Sequence, residues 1–314
     1  MLGFCAKRVL RRGEFAFVLL VTLAGSGWAM AAAVPSASTV TWQPARLVRG
    51  SPVFFRVTVP ASVGEVSGKW LGHDLKFFSV LGRKGWYALA GIPVETAPGS
   101  YDLELTGTQA TESFRYVKKI RVAEARYPRI AIRVGKQFTE PSAEQLKQIA
   151  ADKDLKQSIF AKESERRLWD GGFQAPVSAA TSDVFGTERV FNGEVKSRHL
   201  GLDYAAGQGT PVHAINRGVV LLARPLYFEG GFVVIDHGQG LMSLYLHLSE
   251  FKVKEGDEVQ AQQLIALSGG SGRATGPHLH LAIRWQGIYL NPEVLLQLAL
   301  PESAQNQAAN QARH

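Results

Sequence analysis

Two stretches decide the fold of the C-terminal part of this 314-residue chain, RHLGLD at residues 198–203 and GPHLH at residues 276–280. In an extended strand, side chains two or four residues apart point to the same side. His199 therefore shares a face with Asp203, and His278 shares a face with His280. Imidazole nitrogen and carboxylate oxygen are zinc ligands, and a catalytic zinc takes three protein ligands and leaves one position for water. The two stretches predict a metal site laid on a β-sheet.

Histidine is concentrated around these stretches, because six of the eight histidines fall between residues 199 and 280. His247 ends a third phrase, YLH at residues 245–247, which lies between the other two. Two further histidines are predicted to be structural: His213 follows Pro and Val in a strand-like run, and His237 precedes a glycine in a turn. His73, far upstream beside an aspartate, is predicted to be a surface or hydrogen-bonded histidine with no role in the metal site.

Taken together, these phrases resemble the LytM/lysostaphin-type zinc metallopeptidases, the duplicated-hybrid-motif family of peptidoglycan endopeptidases. The resemblance runs from about residue 185 to residue 292, and six phrases carry it: RHLGLDY 198–204, GTPV 209–212, GVV 218–220, IDHG 235–238, YLHL 245–248 and SGRATGPHLH 271–280. It implies that His199, Asp203 and His280 hold one zinc ion and that His247 and His278 are catalytic. The sequence departs from the family pattern at Gln262 and Ala266, where many relatives have glycine, but both lie away from the implied ligands.

The resemblance implies an exported zinc-dependent endopeptidase that hydrolyses peptide bonds of peptidoglycan stem peptides or cross-links, with a zinc-activated water as nucleophile. The residues agree with this chemistry. Two neutral imidazoles and one carboxylate leave a net charge of about +1 on a zinc site, which lowers the pKa of bound water. The two remaining histidines can accept the proton of that water and stabilise the oxyanion. No glutamate follows the first histidine as in His-Glu-x-x-His, so a zinc site on a helix is disfavoured.

Two alternatives stay open at this point. The first is a non-catalytic LytM-like module that binds the cell wall or activates another wall hydrolase, although relatives of that kind usually lose zinc ligands. The second is a purely structural zinc, which normally has four protein ligands, and the sequence offers no evident fourth. Glycine-rich GGSGR at residues 269–273 lacks the Lys-Ser/Thr of a phosphate-binding loop, so it is interpreted as a wall of the substrate groove.

Upstream of the site, the sequence predicts a mainly β fold with two domains. Apolar residues alternate in VFFRVTV 53–59, YDLEL 101–105 and YVKKIRV 116–122, which indicates about six or seven strands of a β-sandwich-like domain over residues 34–136. Ser142 and Gln145 form a capping-box pattern that begins a helical connector over residues 137–171. Strand-and-turn patterns then predict an antiparallel β-sheet or half-barrel metallopeptidase domain over residues 172–300, and a disordered Gln/Asn/Ala-rich tail over residues 301–314.

The first 33 residues are typical of a secretory signal peptide, with a basic start, an apolar stretch and small residues at the cleavage site. This predicts export to the periplasm or cell envelope, with membrane attachment only if the signal is not cleaved. Cys5 is the single cysteine and lies in this segment, so the mature chain is predicted to contain no disulfide. The formal charge of +8 is accompanied by no basic helix or aromatic-basic alternation, which argues against nucleic acid binding. Peptidoglycan is the predicted partner of a monomeric protein.

Overall fold

The computed structural model describes residues 38–60, 62–109, 112–131, 141–191 and 194–302. The predicted signal peptide and residues 303–314 of the predicted tail lie outside these residues. Strands predominate over helices in the described part, so the predicted mainly β fold is confirmed. The helices found in the described ranges are too short or too polar to cross a membrane.

The N-terminal part contains two sheets that pack face to face. In spatial order, one sheet consists of β1 (Thr39–Gln43), β3 (Pro52–Thr58), β7 (Trp86–Gly91) and β6 (Phe78–Ser79), and the other of β2 (Leu47–Val48), β9 (Glu112–Ala123), β8 (Gly99–Gln109), β4 (Val63–Trp70) and β5 (His73–Leu75). The buried rings of Phe55 and Trp70 meet edge to face between the sheets, with centroids 5.6 Å apart. The predicted sandwich-like architecture is therefore confirmed. Additional strands of two or three residues, which are too short to show an alternating pattern, raise the number of strands above the prediction.

A small sheet and a helix lie between the sandwich and the C-terminal sheet in sequence. Strand β10 (Arg129–Ala131) pairs in parallel with β12 (Glu188–Phe191), which pairs antiparallel with β13 (Glu194–Arg198). Helix α1 (Ala143–Phe160) begins with the predicted capping box, because Ser142 and Gln145 each accept a hydrogen bond from the backbone N–H of the other. The exact domain boundaries stay a prediction.

The C-terminal sheet is antiparallel and is the scaffold of the predicted metal site. In spatial order its main path is β11 (Thr181–Asp183), β14 (Leu202–Tyr204), β21 (Leu279–Trp285), β18 (Leu241–Phe251), β17 (Gly230–Gly238), β16 (Gly218–Leu226) and β19 (Glu258–Val259). Beside this path, β15 (Pro211–His213) pairs with β20 (Leu264–Ser268), β20 also pairs with β18, and β22 (Ile288–Leu290) pairs with β21. This arrangement confirms the predicted antiparallel half-barrel.

Both faces of this sheet are buried, and the period of two along the strands decides which residue faces which layer. On β17, Val233 and Ile235 belong to the main core, whereas Phe232 and Val234 belong to a second cluster on the opposite face. Ile159 of α1 covers that second cluster and is 4% exposed. Burial of an aliphatic side chain of this size stabilises a fold by about 1.5–3 kcal/mol, so α1 is anchored to the sheet.

Strand register brings the predicted site residues together. Asp203 on β14 lies opposite His280 on β21, and His280 lies opposite Leu246 on β18. Three neighbouring strands therefore place residues 203, 280 and 246 in one row across the sheet. His247 follows directly, at an irregularity in the pairing of β17 with β18.

Two local features differ from the sequence-based expectation. A short helix, α2 (Pro292–Leu296), ends the C-terminal part where only strands and turns were predicted; Asn291 caps it and proline stands at its start, which is a recognisable helix signal. Gln262 has a φ of +61°, in the left-handed region that favours glycine. This conformation explains why a glycine is expected at position 262 in similar sequences.

Candidate metal centre

Three side chains converge on one point at the end of β14 and β21. Nε2 of His199 lies 3.0 Å from Oδ1 of Asp203 and 3.0 Å from Nδ1 of His280. Nδ1 of His280 lies 2.7 Å from the same Asp203 oxygen. Two imidazole nitrogens and one carboxylate oxygen thus face each other, and among the described residues they form a group able to hold a metal ion. Such a set of donors suits zinc with an open position for water.

The backbone and a second carboxylate orient His199 for this role. Its Nδ1 lies 2.9 Å from the carbonyl oxygen of Val184 and 3.3 Å from Oδ2 of Asp183, at the end of β11. A proton on Nδ1 satisfies these acceptors and leaves the lone pair of Nε2 directed at Asp203 and His280. Metal-binding histidines in proteins commonly donate their other ring N–H in this way, which fixes the tautomer. The residues present therefore fit a zinc ion.

The electrostatics of the group also favour a cation. Burial alone would raise the pKa of Asp203, but hydrogen bonds with the facing nitrogens of His199 and His280, which can carry a proton only when no metal is bound, outweigh burial and hold that pKa far below its ordinary value. Burial lowers the pKa of His199, but its contact with Asp203 outweighs burial and raises it, so a bound metal would displace a proton from this group. Burial lowers the pKa of His280, an effect that its hydrogen bond to Asp203 only partly opposes. The carboxylate is therefore ionised, and the neutral form of His280, which has a nitrogen lone pair to offer, is favoured.

His280 can approach this point only because residue 201 has no side chain. A Cβ atom added to Gly201 would lie 2.4 Å from Nε2 of His280 and 2.6 Å from the carbonyl oxygen of Leu281. Contacts this short force a shift, and both neighbours belong to the strand that holds a ligand. The glycine in RHLGLD is thus required by the packing of β14 against β21.

His247 and His278 lie beside the three ligands with their rings 4.7 Å apart. Nδ1 of His247 bonds to the carbonyl oxygen of Ser271 at 2.8 Å, and Nδ1 of His278 bonds to that of Gly276 at 2.8 Å. Since both Nδ1 atoms carry the proton, both Nε2 atoms are free to accept one. Nε2 of His278 lies 3.9 Å from Oδ2 of Asp203, at the edge of the ligand group.

The pKa of His247 is lowered to about 4, mainly by burial and also by the neighbouring His278 and His280, whereas the hydrogen bond to Ser271 and the charge of Asp203 oppose this shift. His247 is therefore neutral near pH 7. Its backbone is unusual for a residue within a strand, because φ is +63°. Strain of this kind is common at functional sites, where the surrounding structure holds it in place.

The sequence profile of peptidase family M23 matches residues 197–292. These residues form a peptidase M23 domain. All five residues of the predicted site lie inside it, whereas Asp183 and Val184, which orient His199, precede the matched residues.

Similar proteins share this domain. This chain is 46% identical over 93 residues to peptidoglycan DD-endopeptidase ShyA of Vibrio cholerae, a match that covers 30% of this chain and 22% of ShyA. It is 44% identical over 107 residues to DD-carboxypeptidase/endopeptidase Mpg of Neisseria meningitidis, covering 34% of this chain and 24% of Mpg. The chain thus matches only about a quarter of the length of these relatives.

One solved structure resembles a much larger part of the chain. The crystal structure of an M23-type protein from Pseudomonas aeruginosa superimposes with a TM-score of 0.59 and 25% sequence identity. The superposition covers 79% of this chain and 94% of the Pseudomonas aeruginosa chain. The likeness in fold therefore extends beyond the M23 domain.

The structure brings together all five predicted site residues and leaves the other described histidines outside the centre. His213 Nδ1 bonds to the carbonyl oxygen of Pro176, and His73 contacts Gln286 and Trp285. His237 is fully buried, between the carbonyl oxygen of Arg217 and the hydroxyl of Ser243. Sequence reasoning gave no role in the site to Asp183, which ends β11, or to Ser271, which lies in the glycine-rich loop before His278.

Replacing Asp183 by asparagine is expected to weaken zinc binding. Asparagine keeps an oxygen for the N–H of Val184 and the hydroxyl of Thr187 but removes the negative charge beside His199 Nδ1. Loss of such a supporting acceptor typically costs about 10–100-fold in metal affinity. Competition with a chromophoric chelator measures the affinity, with Asp154→Asn on the exposed side of α1 as control. Equal affinity in the Asp183 and Asp154 variants would contradict the assigned role.

His237 is expected to make the fold sensitive to acid. Burial lowers its pKa from 6.5 to about 4 in the folded chain. As the pH falls, the unfolded state takes up the proton first, so stability is complete above about pH 6.5 and is lost towards pH 4. The shift corresponds to about 3 kcal/mol. Urea unfolding at several pH values should show a shallower acid loss for His237→Gln than for the wild type, and parallel curves would refute this.

Proposed function

We propose that this chain is an exported zinc-dependent endopeptidase that hydrolyses peptide bonds in the cross-links or stem peptides of peptidoglycan. The observation that carries the proposal is the convergence of His199, Asp203 and His280 within 3.0 Å of one another, beside two histidines with free Nε2 atoms. Three ligands and two adjacent proton carriers are what metal-assisted amide hydrolysis requires.

His199, Asp203 and His280 would hold the zinc ion, which would lower the pKa of a bound water and polarise the carbonyl group of the substrate. Nε2 of His247 or His278 can take a proton from the attacking water, since each ring is held by its own Nδ1–H bond. The protonated ring can then give this proton to the amide nitrogen as the C–N bond breaks, while the second ring stabilises the oxyanion. Burial of His247 keeps it neutral beforehand, so it is ready to accept the proton.

The names of the relatives support the substrate class. ShyA is named a peptidoglycan DD-endopeptidase and Mpg a DD-carboxypeptidase/endopeptidase. We therefore propose that the cleaved bond lies between two D-configured centres of a cross-link. Export agrees with this substrate, because peptidoglycan lies outside the cytoplasm, and with the signal-like residues 1–33.

The alternative of a non-catalytic wall-binding or activating module has less support. Such a module does not need a hydrogen-bond acceptor that orients a zinc ligand, and it does not need a neutral, buried histidine beside the zinc ligands. Here Val184 and Asp183 orient His199, and Ser271 orients His247. A structural zinc is disfavoured for a related reason, since among the described residues the candidate group has three members.

The test uses a purified muropeptide dimer cross-linked between D-alanine and diaminopimelate, incubated with the zinc-loaded protein and followed by mass spectrometry. The proposal predicts conversion of dimers to monomers, abolished by a zinc chelator and restored by added zinc. Intact dimers and stem peptides in the presence of folded, zinc-loaded protein would refute it. Binding to intact sacculi without cleavage would then support the wall-binding module.

A further inference from the structure

The backbone of His247 is held by a turn of the neighbouring hairpin. Residues 227–229, here called the 227–229 turn, connect β16 to β17. The carbonyl oxygen of Glu229 accepts the backbone N–H of His247 at 2.9 Å. Around this bond the β17–β18 register shifts, with Gly231 opposite Leu248 and Val233 opposite Tyr245, so β18 carries one extra residue. Bulges of this kind re-aim a side chain, here the imidazole of His247.

The same turn also holds the loop that receives the imidazole, because the carbonyl oxygen of Phe228 accepts the backbone N–H of Arg273 at 2.8 Å. The N–H of Gly231 donates to Oγ of Ser271 at 2.9 Å, and the carbonyl oxygen of Ser271 accepts from Nδ1 of His247. A Cβ atom on Gly230, whose φ is +63°, would lie 2.4 Å from the carbonyl carbon and oxygen of Ser271, so the two backbones approach each other closely here. Both the main chain and the ring of His247 are thus positioned from the 227–229 turn.

Two charged residues of α1 also contact this turn. Oδ2 of Asp152 accepts the backbone N–H of Tyr227 at 2.7 Å, and Lys156 forms an ion pair with the carboxylate of Glu229. The side chains of Lys156 and Glu229 are only 25% and 13% exposed. Asp152, Lys156 and the anchoring Ile159 are spaced four and three residues apart, so they share one face of the helix.

From these contacts we propose that Asp152 and Lys156 are positioning residues for the reaction of the M23 domain. They fix the 227–229 turn, and the turn fixes both the backbone and the ring of His247. This inference rests on the proposed function in that His247 is taken to carry a proton in the reaction. It goes beyond that function by giving the connector helix a part in setting the rate.

The geometry separates this role from metal binding. The side chains of His199, Asp203 and His280 contact one another. In addition, Nδ1 of His199 contacts the carbonyl oxygen of Val184 and the carboxylate of Asp183. Release of the 227–229 turn should therefore leave the zinc affinity intact while His247 becomes misplaced. A misplacement of about 1 Å can cost roughly 100-fold in rate.

The experiment compares two double variants of the full chain. Asp152→Ala/Lys156→Met removes both contacts, and Asp154→Ala/Lys153→Met makes the same changes at exposed positions of the same helix. We expect kcat to fall about 10–100-fold in the first variant, with KM and zinc content unchanged, and to stay at the wild-type value in the second. Asp152→Asn, which keeps an oxygen acceptor for the N–H of Tyr227, should retain most of the activity. A kcat equal to that of the exposed control would overturn the proposal.

Hydrogen–deuterium exchange gives a readout that does not depend on activity. Peptides that contain residues 245–249 should exchange faster in the Asp152/Lys156 variant than in the exposed control, because the His247 N–H loses its fixed acceptor. Equal exchange would overturn the positioning role even if the wild-type protein cleaved no peptidoglycan. Absence of cleavage by the wild type would in turn refute the proposed function, so the two failures are distinguishable.

Discussion

Replacing His199 by alanine is expected to abolish zinc retention and to lower kcat/KM for cross-link cleavage by about 10³-fold or more, since the metal supplies several kcal/mol of transition-state stabilisation. His199 is 3% exposed and contributes one of the three ligand atoms that face one another, so its removal leaves two of the three. Metal content by mass spectrometry and steady-state cleavage of the muropeptide dimer measure the two effects.

The matched control is His213→Ala, which removes an imidazole bonded to Pro176 outside the centre. This variant should retain both zinc and activity. His280→Ala should reproduce the loss seen in His199→Ala, and the double variant should be little worse than either alone, because the ligands act as a unit. A His199 variant that keeps stoichiometric zinc and wild-type activity would show that the metal centre is assigned wrongly.

The second large effect is expected for His247→Ala, which should lower kcat by about 10²–10⁴-fold while zinc remains bound. The imidazole lies beside the ligand group. Its Nδ1 bonds to the carbonyl oxygen of Ser271 and to none of the three ligands. Loss of the ring therefore removes a proton carrier and spares the metal. Zinc content, KM and kcat measured on one preparation separate these contributions.

The effect of His278→Ala provides the comparison, since the two rings lie 4.7 Å apart and both have a free Nε2. If one ring accepts the proton and the other stabilises the oxyanion, each single variant should be impaired. Wild-type kcat in the zinc-loaded His247 variant would exclude that residue from the chemistry.

The core of the site was predictable from the sequence motifs, although the strand geometry expected for His199 is wrong, because this residue lies between β13 and β14 and not on the strand of Asp203. His199 and Asp203 are close in sequence, and His280 pairs directly with Asp203 across β14 and β21. Alternation of apolar residues likewise predicted the sandwich, and the capping-box pattern at Ser142 predicted the start of α1. In each case a local pattern and the tertiary structure agree, as expected for a sequence with consistent local preferences.

Other features escaped prediction because they depend on long-range contacts. The left-handed backbone of His247 lies at a bulge in the pairing of β17 with β18. Glu229 and Ser271, which hold His247 there, lie outside β18, so the local sequence does not reveal them. Asp152 and Lys156 belong to a charge-rich helix in which no sequence pattern distinguishes them from the other charged residues. Both residues contact the 227–229 turn because of the way α1 packs on the sheet. The spacing of apolar residues along the helix does not predict that packing.

The most direct test of the account is a zinc titration of the metal-free protein, with cleavage of the muropeptide dimer measured at each step. The account predicts that activity rises in proportion to added zinc and stops rising at one zinc ion per chain, and that His199→Ala shows no rise. Activity in the metal-free protein, or a zinc-saturated protein that cleaves nothing, would contradict it.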